Sequence, residues 1–196
     1  QFERKMRRTL KLSTKIITIS NFSKRDLLNY YPETDPEKIT VIHWAPNSQY
    51  KPITDSISTN HIRQKYGLCD TPFYFALGGD DPRKNTLTLI NSFIEFCNNI
   101  PEWKLLIGGI PESYLNELKT TADLRGCSER IILTSYLPED DMPALFSAAS
   151  AFIFPSLYEG FGLPILDAMA CNCPVICSNV SSLPEIAGDA ACYFNP

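Results

Sequence analysis

From residue 72 to the end, short apolar runs alternate with segments of helical period, and this rhythm constrains the fold more than any other feature of the sequence. Runs of strand length fall at FYFAL (73–77), WKLLIG (103–108), RIILT (130–134), AFIFP (151–155), PVIC (174–177) and CYF (192–194). Helical segments separate them near residues 85–99, 112–125, 139–149, 162–171 and 183–187. Strands that are apolar at successive positions and joined by helices belong to a parallel sheet covered on both faces. The predicted class is α/β, a doubly wound parallel sheet of six strands. Ligands of such sheets sit beyond the carboxyl ends of the strands, where the strand order reverses, so a site is expected in the loops that follow strands.

Upstream, KIITIS (15–20) predicts a strand and NFSKRDLLNYY (21–31) a helix, with Ser23 and Asp26 spaced as a capping box; ITVIHW (39–44) predicts another strand. Residues 45–60, APNSQYKPITDSISTN, carry two prolines and no period, and predict an interdomain linker before a short helix, HIRQKYG (61–67). The opening QFERKMRRTLKL does not begin with Met and lacks the apolar core of a signal peptide, as a fragment of a longer chain would. No run of about 18 apolar residues is available to span a bilayer.

A net charge of −4 opposes a whole-domain hold on nucleic acid, while the local KMRR cluster leaves peripheral membrane contact open. The seven cysteines form no regular framework and many sit inside apolar runs, which points to reduced thiols and a cytoplasmic protein. Cys171, Cys173 and Cys177 have no histidine nearby and read as small core residues rather than a zinc site.

LGGDDPRKN directly follows the first strand of the regular region. Gly78 and Gly79 permit a tight turn and close approach of a ligand; Asp81 before Pro82 reads as an N-cap with proline at the first helical position. Arg83 and Lys84 then fall in the first helical turn, where each cation opposes the macrodipole by roughly 0.3–1 kcal/mol. An anion between them and the helix end would justify that placement. The plainer alternative pairs both cations with Asp80 and Asp81 in solvent. Neither GxxxxGK[ST] nor GxGxxG occurs after any strand.

The second unusual loop is EGFGLPILD, residues 159–167. Gly160 and Gly162 free backbone N–H groups at a helix entrance, with Glu159 in the turn before it and Asp167 within the helix. Eight helical positions span about 12 Å, so the two acids suit different parts of one elongated ligand. As purely structural residues, they would be a solvated loop acid and a surface helix residue.

With the following AMACNCPVICSNVSSLPEIAG, the Glu159-x7-Asp167 spacing resembles the Ex7E signature of retaining GT-B glycosyltransferases of the family-four type, the glycosyl transferases group 1. GGDDPRKN and LTSYLPEDDMPALFSAASAFIFPS are similar to further segments of that family, and the likeness runs from about residue 14 to the end. It implies a Rossmann-like C-terminal donor-binding domain over 61–196, truncated at its end, with residues 1–44 as the tail of the N-terminal acceptor-side domain.

The resemblance also assigns roles. Arg83 and Lys84 hold a diphosphate and Glu159 meets donor-sugar hydroxyls. The amides of Gly160, Phe161, Gly162 and Leu163 face sugar and phosphates, Asp167 takes the ribose hydroxyls, and Leu137 contacts the base. Asp167 departs from the usual Glu, Gly78 stands where many relatives carry Arg, and HWAPNSQYKP departs from the usual NGVD. Glu139, Asp140 and Asp141 read as helix-start acids rather than a metal motif. Pro184 and Glu185 likewise suit a first turn after Ser182, a site role being the lesser alternative; Tyr158 suits packing ahead of lining a sugar pocket, and Trp44 and Trp103 suit packing.

The implied activity is hexose transfer with retention from a nucleoside diphosphate sugar, a substrate rather than a cofactor, with no metal. The acceptor, a carbohydrate or a lipid-linked one, would be bound by the missing N-terminal domain. PRKN leans towards mannosyl or glucosyl donors, UDP, GDP and ADP remaining open as the nucleotide. The rivals are a non-catalytic nucleotide-sugar module and a sugar-nucleotide epimerase.

Overall fold

The computed structural model describes residues 1–96, 99, 102–124 and 126–196, with backbone alone for 121–124. The first 44 residues hold helix α1 (Phe2–Leu12), strand β1 (Ile16–Thr18), helix α2 (Asn21–Tyr30) and strand β2 (Ile39–Val41), with β1 and β2 paired in parallel as a separate two-stranded sheet. Both strands are shorter than the apolar pattern predicts. Beyond Val41 the chain leaves the sheet, and the rings of His43 and Trp44 each lie 5.9 Å from that of Phe161.

The capping of α2 corrects the sequence reading. The cap is Ser20, in extended conformation, whose side chain accepts the Ser23 amide. Strand β1 ends early enough for the chain to turn at Ser20, so Ser23 is already inside the helix. Asp26 instead accepts the Tyr158 hydroxyl.

Helix α3 (Ser56–Lys65) starts within the predicted linker, because the Asp55 carboxylate accepts the Ser58 amide and caps a helix there. The large sheet then follows: β3 (Phe73–Leu77), α4 (Thr86–Phe96), β4 (Lys104–Gly108), α5 (Glu112–Leu124), β5 (Ile131–Leu133), α6 (Met142–Ala148), β6 (Ala151–Phe154), α7 (Leu163–Ala170), β7 (Val175–Ser178), α8 (Leu183–Ala187) and β8 (Ala191–Phe194). All six strands are parallel, in the order β5-β4-β3-β6-β7-β8, as the alternating pattern predicts. Cys97 and residues 98 and 125, at the ends of two predicted helices, lie outside the described residues.

Two cores cover the sheet's faces and explain why its strands are apolar at successive positions. Phe75, Leu106, Phe152 and Phe154 pack with Phe146 of α6, Ile165 of α7 and Leu183 of α8. Ala76, Leu105, Ile107 and Ile131 pack with Ile90 and Phe93 of α4 and Leu118 of α5. Cys171, Cys173 and Cys177 are free thiols buried in the first core, as expected of small core residues. Burial pushes the thiols of Cys171 and Cys177 up to about 11 and that of Cys173 to about 12, so they stay protonated and unreactive near neutrality. Trp103 stacks on Tyr74 at 4.6 Å. No described helix is long and apolar enough to cross a membrane.

Candidate functional site

Strand order reverses between β3 and β6: the chain runs from β3 outward to β4 and β5, then returns to place β6 on the other side of β3. The loops leaving these two strands therefore flank one crevice. They are joined directly. The Leu157 amide donates to the Arg83 carbonyl at 2.7 Å, Asn85 Nδ2 donates to the Pro155 carbonyl at 3.3 Å, and Lys84 Nζ lies 2.8 Å from Glu159 Oε1. The Lys84 ammonium also stands 5.4 Å over the Phe154 ring.

The setting of the two cations differs from expectation. Asp81 does act as an N-cap with Pro82 after it, but of a three-residue 3-10 turn, Pro82–Lys84. Asn85 then adopts a left-handed conformation (φ 55, ψ 30) and α4 begins only at Thr86. The turn and the helix are separate, so the predicted conflict between these cations and the helix dipole does not arise. Arg83, 60% exposed, folds back onto Asp81. The side-chain and backbone hydrogen bonds from Arg83 hold the Asp81 carboxyl below its usual range. Solvent pairing thus describes Arg83, whereas Lys84 reaches across the crevice to an acid 75 positions later.

Gly78 and Gly79 do shape the turn, but their amides are engaged: Gly78 donates to the Gly108 carbonyl at 2.8 Å, and Gly79 to Thr86 Oγ1 at 3.1 Å. A Cβ on Gly78 would lie 2.8 Å from Ile107 Cγ2, so glycine is needed there for packing. Leu137 covers the end of β4, where a Cβ on Gly108 would lie 2.1 Å from Leu137 Cδ1.

On the other wall, Gly162 starts α7 with φ 94, and a Cβ there would meet Leu183 Cδ2 at 2.7 Å. Both the backbone angle and the contact require glycine. Among the described residues, the amides of Gly160, Phe161, Gly162 and Leu163 have no protein acceptor. The chain before them is held instead: the Glu159 amide donates to Ser181 Oγ at 3.1 Å and Ser182 Oγ donates to the Glu159 carbonyl at 2.9 Å. Four consecutive N–H groups beside a lysine suit oxygen-rich, negatively charged ligands.

Asp167 is no surface residue. It is 8% exposed and its Oδ1 has no hydrogen-bond partner in the protein. Burial, with the charge of Glu139 adding to it, pushes its carboxyl up to about 6. Glu139 is itself bonded by Gln49 Nε2 at 2.7 Å. Asp141, in the same helix-start cluster, accepts from Lys65 Nζ at 2.6 Å and from the Tyr66 hydroxyl at 2.5 Å. A buried carboxylate with an unused oxygen fits a ligand hydroxyl, and its surroundings of Glu139, Tyr50 and Cys171 set it apart from the Lys84–Glu159 pair.

Sequence reasoning missed a second group. Glu185 accepts the amides of Asn21 (2.7 Å) and Phe22 (3.0 Å) and the Asn21 side-chain amide (2.9 Å), and lies 2.8 Å from His43 Nε2. Tyr158 packs edge-on against Phe22, and both Ser20 and Ser23 reach the Gly160 carbonyl. The first 44 residues are thereby seated on the crevice loops. The one irregularity noted in this stretch, the departure of HWAPNSQYKP from the usual NGVD, gave no indication of these contacts.

The family model described as glycosyl transferases group 1 matches residues 58–194. The chain belongs to this family. It is 33% identical over 196 residues to O-antigen chain mannosyltransferase B of Escherichia coli, covering 99% of this chain and 51% of that one. It is 28% identical to O-antigen chain mannosyltransferase RfbU of Salmonella typhimurium, covering 95% and 49% of the two chains. This group 1 chain thus spans about half the length of these two relatives. In fold it is similar to a glycosyltransferase from Rickettsia africae (TM-score 0.83, 21% identity, 93% of this chain and 49% of that one). It also resembles Anabaena HepE, solved with UDP and glucose (TM-score 0.82, 20% identity, 95% and 50%).

Proposed function

We propose that the parent of this group 1 chain transfers a hexose, with retention, from a nucleoside diphosphate sugar to a carbohydrate or lipid-linked acceptor. Residues 61–196 would be its donor-binding domain, residues 1–44 the end of the acceptor-side domain, and 45–60 the segment between them. The observation that carries this reading is the Lys84–Glu159 pair, set where strand order reverses and beside four unpartnered amides. A GDP-mannose donor is favoured by the names of the relatives. One, a GDP-mannose-dependent mannosyltransferase of Mycolicibacterium smegmatis, is 32% identical over 136 residues, covering 65% of this chain and 35% of that one.

In this reading Lys84 turns from Glu159 to the diphosphate, and Arg83 leaves Asp81 to join it. Glu159, released, accepts hydrogen bonds from sugar hydroxyls, while Asp167 accepts one from ribose. As the bond to the anomeric carbon breaks, negative charge grows on the departing diphosphate, and the two cations and the amides of residues 160–163 stabilise it. The Glu159 carboxylate, held to the sugar by those hydroxyls, would ease the positive charge that develops there. None of these steps calls for a metal, since lysine, arginine and backbone amides supply the countercharge.

Calorimetry with UDP, GDP and ADP tests the site: one of them should bind more tightly than inorganic phosphate, and Lys84→Ala should abolish the preference. Assay of the full-length parent with GDP-mannose and UDP-glucose tests the reaction. Transfer lost in Glu159→Ala supports it, and nucleotide binding without turnover of any sugar nucleotide supports a non-catalytic module instead.

A further inference from the structure

The Gly160–Phe161 peptide is held from outside the large sheet. Ser20 Oγ donates to the Gly160 carbonyl at 2.7 Å and Ser23 Oγ does so at 2.9 Å. Ser20 Oγ meanwhile accepts the Ser23 amide at 2.9 Å and lies 3.0 Å from Ser23 Oγ; with its one proton on the nearer Gly160 carbonyl, that carbonyl's two lone pairs receive both hydroxyls. All peptide bonds here are trans. In a trans peptide the carbonyl and the following N–H point in opposite directions. Drawing the Gly160 carbonyl towards α2 therefore aims the Phe161 N–H away from α2. Ser182, by holding the Glu159 carbonyl, sets the Gly160 N–H in the same manner. Neither N–H has an acceptor among the described residues.

Glycine at 160 gives this peptide little resistance to rotation, so the two hydroxyls are what fix its orientation. Both come from the cap and first turn of α2, 140 and 137 positions earlier in the chain. The orientation of a crevice amide is thus set by residues at the start of α2, outside the six-stranded sheet's own segment.

We propose that Ser20 and Ser23 are positioning residues for the transfer reaction. By gripping the Gly160 carbonyl they present the Phe161 N–H to an oxygen of the nucleotide sugar, so the donor site is complete only while α2 is seated on the loop. This rests on the proposed function. It extends that reading by making donor activation depend on the docking of the acceptor-side segment. When α2 moves off, the peptide is released, and the amide that stabilises the departing diphosphate loses its aim.

The test uses the full-length parent carrying Ser20→Thr, Ser23→Ala, Ser20→Asp and the Ser20→Asp/Ser23→Ala pair. Aspartate at 20 retains the cap acceptor for the Ser23 amide but has no proton to give, which separates capping from grip. The pair should lower kcat about 100-fold, the scale of losing one preorganised amide, with donor KM within about threefold. Ser23→Ala alone, which leaves the cap intact, should lower kcat about tenfold, and Ser20→Thr should stay within about twofold of the parent. A pair that keeps kcat within twofold, or a Thr variant that loses as much as the Asp variant, overturns the proposal. A crystal structure of the Ser23→Ala or the paired variant gives a readout free of turnover: a rotated Gly160–Phe161 peptide is expected, and an unmoved one overturns it. A parent that turns over no sugar nucleotide refutes the proposed function, while the peptide orientation still decides this inference.

Discussion

Lys84 Nζ and Glu159 Oε1 meet at 2.8 Å across the reversal of strand order, one carried by the loop after β3 and the other by the loop after β6. Each side chain is largely withdrawn from water, at 33% and 19% exposure. The pair therefore holds a cation and an anion together in the crevice; under the proposed function they would exchange each other for phosphate and hydroxyl groups of the donor.

Removing the cation should cost more than removing its exposed neighbour. Lys84→Ala is expected to weaken nucleoside diphosphate binding by roughly 10- to 100-fold, the scale of a charge-assisted hydrogen bond of about 1.5–3 kcal/mol. Arg83→Ala should weaken it less and leave the urea midpoint essentially unchanged, because its present partner is a solvent-exposed acid. Calorimetric titration and urea unfolding of both variants check the contrast.

Asp167 should make stability fall with rising pH. Its folded value of about 6 lies above the ordinary 3.8, so between these values the folded chain holds a proton that the unfolded chain has lost. Above pH 6 the buried charge is a standing penalty. Asp167→Asn is therefore expected to stabilise the fold by about 1–3 kcal/mol at pH 7 and by almost nothing near pH 3. Thermal melts at the two pH values decide it. Nucleotide affinity in the wild type should fall as pH drops through 6, since a protonated Asp167 accepts hydrogen bonds from ribose less well.

Glu185 behaves in the opposite sense. Burial alone would raise its carboxyl, but the amides of Asn21 and Phe22, His43 and the Asn21 side chain outweigh burial and hold it below the usual range. Its contribution is complete above the ordinary value of 4.5 and disappears as pH falls through the lower folded value. Glu185→Ala should cost about 1–3 kcal/mol by leaving two backbone amides without their acceptor. Faster proteolysis between residues 45 and 55 would report the loosened seat of the first 44 residues.

Gly162→Ala should destabilise the chain by about 2–3 kcal/mol, adding a left-handed backbone penalty to a clash with Leu183. Urea midpoints measure this cost. Gly160→Ala, whose Cβ would find its nearest atom at 3.5 Å, is the matched control and should cost well under half as much.

The sheet was legible because burial on both faces writes apolar residues at successive positions, as in β3 and β4, and because Pro and Gly punctuate the ends of the runs. Lys84 and Glu159, in the loops after β3 and β6, and Asp167, within α7, stood out through the glycines and the family-like spacing around them, although each also had a plain surface reading. The depth of Asp167 was not, since an acid at one helical position carries no sign of what covers it. Helix α3 was obscured by Ser56, Ser58, Thr59 and Asn60, weak helix formers that hide the cap at Asp55. The grip of Ser20 on Gly160 and of Glu185 on Asn21 spans 140 and 164 positions, and no local pattern encodes a partner so far away.

That last contact bears on how the molecule could open. One carboxylate satisfies two main-chain donors, a side-chain amide and an imidazole at once. A small tilt of α2 would strip several of these together and leave the Asn21 and Phe22 amides without their acceptor, so intermediate postures gain little. Motion between the two sheets should accordingly be a snap between two postures, visible as slow exchange between two resonances for Phe22 rather than one drifting signal.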